Sequence, residues 1–247
     1  DNLLRMNVAT TDGLRERLAL VRERIEHAAS RAGRSRDEVE LLPITKGHPA
    51  RMLPAVVESG FPRIGENRVG EAEEKQAELG RLGVDWHMVG HLQRNKADRA
   101  VRVFDELESL DSVRLARKLQ SELEKAGRDE LPVLVQVNAS GEESKGGFDA
   151  TDPDADEVLG RVAEVCDFDR LRVRGLMTMA PLTDDEEALR TTFGRTRRLF
   201  ERCGAELEGF EARTLSMGMS NDFEIAVEEG STRLRLGTVL VGTRPDG

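Results

Sequence analysis

The sequence predicts a parallel (β/α)8 barrel, and three observations carry that expectation. Eight apolar runs alternate with helix-period segments along one chain of 247 residues, as repeated βα units do. That length lies within the range of a single α/β barrel. Several helical segments end in glycine, the residue favoured just past a helix C-terminus, and two of the loops before them offer Asp or Asn as an N-cap. A doubly wound open sheet is the alternative, because alternation by itself does not show closure.

About the first ten residues are left out of the fold reading, because the chain does not open on Met. A helix over about 12 to 32 follows, with Leu14, Leu18, Val21 and Ile25 spaced by three and four. The first strand is "LLPITK" (41–46), followed by the helical "ARMLPAVVESG". Next come "PRIGEN" (62–67) with "RVGEAEEKQAELG", "WHMVGHL" (86–92) with "RNKADRAV", and "VFDELESL" (103–110) with "SVRLARKLQSELEKAG". The second half repeats the alternation: "PVLVQVN" (132–138), "DPDADEVLGRVAEVC", "RVRGLMTMA" (172–180), "DDEEALRTTFGRTRRLFERCG", "TLSMGM" (214–219), "NDFEIAVEEG" and "RLRLGTVLVG" (233–242). Residues 1–247 read as one domain, with the N-terminal helix standing before the first strand and no linker or low-complexity segment.

Composition narrows the function. Hydrophobic residues make up 38% and charged residues 34%, the balance of a soluble globular chain rather than a disordered one. The formal net charge of -10 makes the average surface repel phosphate backbones, so nucleic acid is not an expected partner. Cys166 and Cys203 are too few and too unpatterned for a disulfide framework or a zinc cluster, and read as small buried or helix-face residues in a reducing compartment. No stretch approaches the roughly 18 to 20 apolar residues of a membrane span, and the start "DNLLRMNVATTDGLRERL" has no signal-peptide core. The expectation is a cytoplasmic protein with no membrane partner.

In a barrel the chemistry gathers at the C-terminal ends of the strands and in the loops beyond. That rule selects Lys46, Asn67, His91, Asn138, Met179, Ser220 and the segment from Gly237 to Gly242. Five of the six lysines fall in helical or loop patterns where a solvated role is the default; Lys46 instead closes an apolar strand. A lysine snorkelling to solvent is the plain reading. The chemical one is an amine whose charge burial suppresses, able to form a Schiff base with a carbonyl. The carbonyl is either a substrate ketone or aldehyde, or the aldehyde of pyridoxal 5'-phosphate, and the second needs a phosphate site.

"SMGMSNDFEIAVEEG" supplies a candidate, with Gly and Ser running into a helix start that has a capping-box-like spacing from Asn221 to Glu224. Asp222 there also fits as a plain complement to the helix dipole. In "RLRLGT", Arg233, Arg235 and Gly237 alternate onto one face, and an arginine pointing into the barrel requires an acceptor. His87 and His91 share a strand face but lack the further ligands of a zinc site, so packed or hydrogen-bonded histidines are expected and no metal. "ESKGG" places Lys145 on the same barrel face as Lys46.

The blocks "ITKGHP", "IGENRVGEAEEK", "WHMVGHLQRNK", "VLVQVNASGEESKGGF", "RVRGLMTMA" and "LSMGMSNDFEIAVEEGSTRLRLGTVLVG" together resemble the pyridoxal phosphate homeostasis proteins, relatives of the alanine racemase N-terminal barrel of fold type III. The likeness runs from about residue 40 to the C-terminus, and the last block is the most specific. It implies that Lys46 holds pyridoxal 5'-phosphate as a Schiff base. It also implies that Ser220 and the backbone of Gly237 and Thr238 bind the phosphate, and that Arg235 faces the pyridine nitrogen. Asn67 would lie beside the cofactor, and Ser216, Met217 and Met219 would line the site. The chain departs from the family pattern at Arg68, where an aromatic residue is frequent, and at Gly47, where a larger residue is common.

The resemblance leaves a carrier and an enzyme to be weighed. A racemase of this kind needs a second acid/base opposite the lysine, a tyrosine in alanine racemase, and this chain contains no Tyr. His48, His91 and Lys145 are the substitutes on offer. The expected function is therefore intracellular pyridoxal 5'-phosphate (vitamin B6) homeostasis and delivery without dedicated turnover, with apo forms of pyridoxal-phosphate enzymes as acceptors. A pyridoxal-phosphate-dependent amino-acid racemase, or another weak enzyme of that class, is the alternative. With no second domain expected, the chain is expected to be a monomer.

Overall fold

The computed structural model describes residues 11–142 and 144–244. Helix α1 (Thr11–Arg31) buries Leu14, Leu18, Val21 and Ile25, the stripe visible in the sequence. The barrel strands are β1 (Glu40–Pro43), β2 (Arg63–Glu66), β3 (Asp85–Met88), β4 (Glu106–Leu110) and β5 (Leu131–Asn138). A two-residue strand β6 (Phe148–Asp149), absent from the sequence reading, pairs with β5. The circuit continues through β7 (Leu171–Thr178), β8 (Thr214–Ser216) and β9 (Arg233–Leu236).

Between the strands lie α2 (Leu53–Glu58), α3 (Val69–Leu79), α4 (Ala97–Val103) and α5 (Val113–Ala126) in the first half. The second half holds α6 (Asp156–Cys166), α7 (Glu186–Glu206), α8 (Phe223–Glu228) and α9 (Thr238–Val241). Local chemistry sets these ends. Helix α5 starts where the Ser112 hydroxyl accepts from Leu115 N at 3.3 Å, and ends at Gly127 in the left-handed region. Helix α7 starts where Asp185 accepts from Glu187 N and Ala188 N.

All pairings are parallel, in the order β1-β9-β8-β7-β5-β4-β3-β2. The ends of that path meet in an isolated bridge between Ile44 and Gly65, reinforced by Thr45 N donating to Gly65 O at 3.0 Å. Eight parallel strands thus form a nearly closed barrel, not a doubly wound open sheet. The approach at the seam is close: a Cβ on Gly65 would lie 2.5 Å from Ile44 Cδ1, so any side chain there would have to turn that methyl aside.

Strand alternation divides the interior. Ile64, Trp86, Met88 and Val173 join the main apolar layer under the helices, whereas Leu42, Ile44 and Val89 form a separate small cluster inside the barrel. Much of the remaining interior is ionic: Glu106, Glu108, His87, Arg233 and Arg235 are all buried.

Four predicted strands end at least three residues early, among them the run from 214, which stops at Ser216. The first stops at Pro43, leaving Lys46 in a turn, and the third stops at Met88, so His91 lies beyond it. The last stops at Leu236, and Thr238–Val241 coils into α9. Both cysteines are free thiols; burial pushes Cys166 up to about 11 and Cys203 up to about 12. Among the described residues, no helix is long and apolar enough to cross a membrane.

Candidate functional site at the barrel mouth

A cavity of about 870 Å³ opens at the C-terminal ends of the strands, lined by Lys46, Asn67, Ser220, Arg235, Gly237 and Thr238 among others. Lys46 rides on a turn closed by His48 N donating to Thr45 O at 3.1 Å. The turn is clamped to α3. Lys75 Nζ donates to Thr45 O at 2.8 Å, to Glu66 Oε1 at 2.6 Å and to Glu71 Oε1 at 2.8 Å. Glu71 in turn accepts from Gly47 N at 2.5 Å. Lys75 is thus a buried lysine, contrary to the solvated role its helical pattern suggests: two carboxylates and a carbonyl absorb its three donors.

Lys46 itself is half-buried. Burial lowers its pKa first, and the charges of Arg244, Arg235 and Arg68 lower it further against the opposing Glu71. His48, buried on the same turn and lining the same cavity, is also pushed down, first by burial and then by Lys75 and Arg244.

At another side of the cavity, Ser220 faces the first turn of α9, whose Val239 N–H donates to Ser220 Oγ at 3.3 Å. Arg17, buried on α1, closes the far end of α9 by donating to Leu240 O at 2.8 Å and Val241 O at 3.3 Å. The expected capping box from Asn221 to Glu224 does not form. Asp222 is the N-cap of α8, and its carboxylate turns back to accept from Met219 N at 2.6 Å. Burial raises the Asp222 pKa, against that N–H and the Arg235 charge.

The floor is a chain of buried polar groups. Arg235 donates to Ser216 O at 2.9 Å, Ser216 Oγ at 2.8 Å and Thr178 O at 2.7 Å. Ser216 Oγ lies 2.6 Å from Glu108 Oε2. Since Arg235 can only donate, the single Ser216 proton points to Glu108. Arg233 donates to Glu108 at 2.9 Å, to Glu40 at 2.8 Å and to Glu106, and His87 Nδ1 lies 3.0 Å from Glu108. Burial pushes Glu108 up, but the charge of Arg233, the His87 contact and Arg235 outweigh it and hold the carboxyl well below the usual range.

Two expected lining residues lie elsewhere. Ser216 sits beneath the cavity, spent on Arg235 and Glu108, and Met217 points into the main apolar layer because its neighbours on β8 alternate with it. Met219 does line the cavity. Asn138 shapes a loop instead, donating to Glu142 O at 2.9 Å and Lys145 O at 3.3 Å, while Lys145 itself lines the cavity. The histidines part: His87 is buried on Glu108, and His91 is exposed with Nδ1 2.9 Å from Asp111. His87, Glu106 and Glu108 lie close enough to hold a cation, and the Arg233 guanidinium takes that place.

The sequence reading did not name Glu108, Gln136 or Arg244. Glu108 had a usable signal, because Glu106 and Glu108 alternate in "DELESL" as Arg233 and Arg235 do in "RLRL".

Comparison with known proteins agrees with the barrel fold. The alanine racemase N-terminal domain family matches residues 17–245, so the barrel is of that class. A pyridoxal phosphate homeostasis protein of Mycobacterium tuberculosis is 40% identical, over 92% of this chain and 91% of its own length. Its Escherichia coli counterpart is 37% identical, over 92% and 95%. The chain belongs to the pyridoxal phosphate homeostasis protein family. PipY of Synechococcus elongatus, solved with pyridoxal phosphate bound, superposes with a TM-score of 0.78 at 33% identity, over 93% of this chain and 100% of that one. An alanine racemase of Clostridium difficile shares the fold at 15% identity and a TM-score of 0.71, over 95% of this chain and 58% of its own.

Proposed function

We propose that this protein binds pyridoxal 5'-phosphate through Lys46 and holds it for delivery to apo enzymes, without a dedicated reaction of its own. One observation carries the reading. The cavity brings an amine whose positive charge is disfavoured together with the hydroxyls of Ser220 and Thr238 and the first turn of α9, over a buried guanidinium. These residues fit the group: the α9 end takes the phosphate, and Arg235 offers the pyridine nitrogen a hydrogen bond but not a proton. The cofactor supplies an aldehyde, with which the Lys46 amine condenses reversibly, releasing one water. Asn67 lies on the wall beside it, and Ser216 acts from below by fixing Arg235.

The close relatives support the cofactor and the role, since they are named for homeostasis rather than for a reaction. A racemase would need a second acid/base, and the chain has no tyrosine to supply it. On adding pyridoxal 5'-phosphate, a visible absorption band should appear that borohydride fixes to the Lys46 peptide, and Lys46→Ala should lack it. An unchanged band in the mutant would refute Lys46. Loss of the α-hydrogen of amino acids into deuterated water, faster than free pyridoxal 5'-phosphate alone promotes it, would refute the carrier reading.

A further inference from the structure

Gly47 follows Lys46 directly, and the structure shows what its missing side chain makes room for. Its φ is +71°, and a Cβ built there would lie 2.8 Å from Arg244 Cδ, 3.1 Å from Nε and 3.6 Å from Cγ. Arg244, two residues past Gly242, which closes α9, therefore lays its side chain directly on the Lys46–Gly47–His48 turn. It lines the same cavity as Lys46 and His48.

We propose that Arg244 is a positioning residue for Lys46: its permanently charged guanidinium, seated on Gly47 beside the amine and lining the same cavity, opposes a second positive charge there and so favours the form that condenses with an aldehyde. Other charges face that amine. Arg235 reaches it from β9, Arg68 from the start of α3 and Glu71 from within α3, with Glu71 alone favouring the ammonium form. Lys145 lines the cavity from the β5–β6 loop, and His48 from the same turn. Arg244 acts more strongly on Lys46 than any of the other charges. The Arg235 charge is offset by Glu108 and Asp222, whereas no carboxylate among the described residues pairs with Arg244. A guanidinium does not lose its proton at any working pH, so its influence is constant where that of a histidine or lysine would fade.

The inference deepens the proposed function by naming what activates its amine. Its test uses the protein without cofactor: competitive acetylation across a pH series, with Lys118 and Lys125 as internal references, reads the fraction of Lys46 that is uncharged. Arg244→Gln should move the Lys46 midpoint to higher pH and cut its reactivity at neutral pH by roughly 3- to 10-fold. Arg244→Lys should restore most of it, and the reference lysines should not change. Arg244→Met, which keeps the stem against Gly47 and removes the charge, should shift the midpoint as Arg244→Gln does. An unmoved midpoint in Arg244→Gln would overturn the proposal. Should Arg244→Gln unfold, Arg244→Met decides by the same readout. A shifted profile in a protein that gives no visible band with pyridoxal 5'-phosphate would keep this inference and remove the cofactor reading.

Discussion

Glu108 shows how a single residue sets the character of the site. Its carboxylate accepts from Ser216 and Arg233 and meets His87, all in a region without water-exposed surface. Its pKa is depressed in the folded state, so its stabilisation is fully present above the unfolded value of about 4.3 and is lost as pH falls through the lower folded value. Glu108→Gln should therefore lose about 3 kcal/mol at pH 7 in urea unfolding, since it leaves a buried guanidinium under-compensated. It should also lose less further stability than the wild type on acidification. The two arginines were legible in "RLRL" by their alternation, as was their need for acceptors. Which acceptors they find was not: Glu106 and Glu108 lie more than a hundred residues earlier in the chain, and only closure of the barrel brings β4 opposite β9.

Among the elements, α9 has the greatest leverage for its length. Its first turn faces Ser220, and its last carbonyls are held by Arg17 from α1, a contact spanning 223 residues. Arg17→Met should loosen α9 and weaken pyridoxal 5'-phosphate about tenfold, on the scale of a hydrogen bond from a charged donor. Binding of pyridoxal, which lacks the phosphate, should be nearly unaffected; equal losses for both ligands in a titration would deny α9 its part. The other helices and all eight barrel strands could be read from periodicity. Helix α9 was read as strand because "TVLVG" is a short, apolar, partly β-branched run, for which local preference favours a strand and period cannot arbitrate. What overrides the preference is position: the chain must turn at Gly237 to clear the mouth. Lys46 was found for a reason that survives its removal from the strand, since a turn immediately beyond a barrel strand is still the place where chemistry gathers.

At the scale of the whole molecule, a net charge of -10 would repel an anionic ligand, yet the mouth gathers Lys145, Arg235 and Arg244 beside a single acidic lining residue among those described, Asp222. Local field outweighs net charge within a Debye length. Stopped-flow association of pyridoxal 5'-phosphate should consequently slow as salt is raised; a rate that rises with salt would show the overall charge in control. Composition gave only the repulsive half of this picture, because the counting of charges says nothing of where the fold collects them. The seam of the barrel lies in the same neighbourhood. Ile44 and Gly65 are joined by an isolated bridge rather than a ladder, two residues before Lys46. Like a cask whose last stave is pegged rather than glued, the cylinder closes there on a single peg with the amine standing beside it, so any widening of the mouth along that line carries the amine with it.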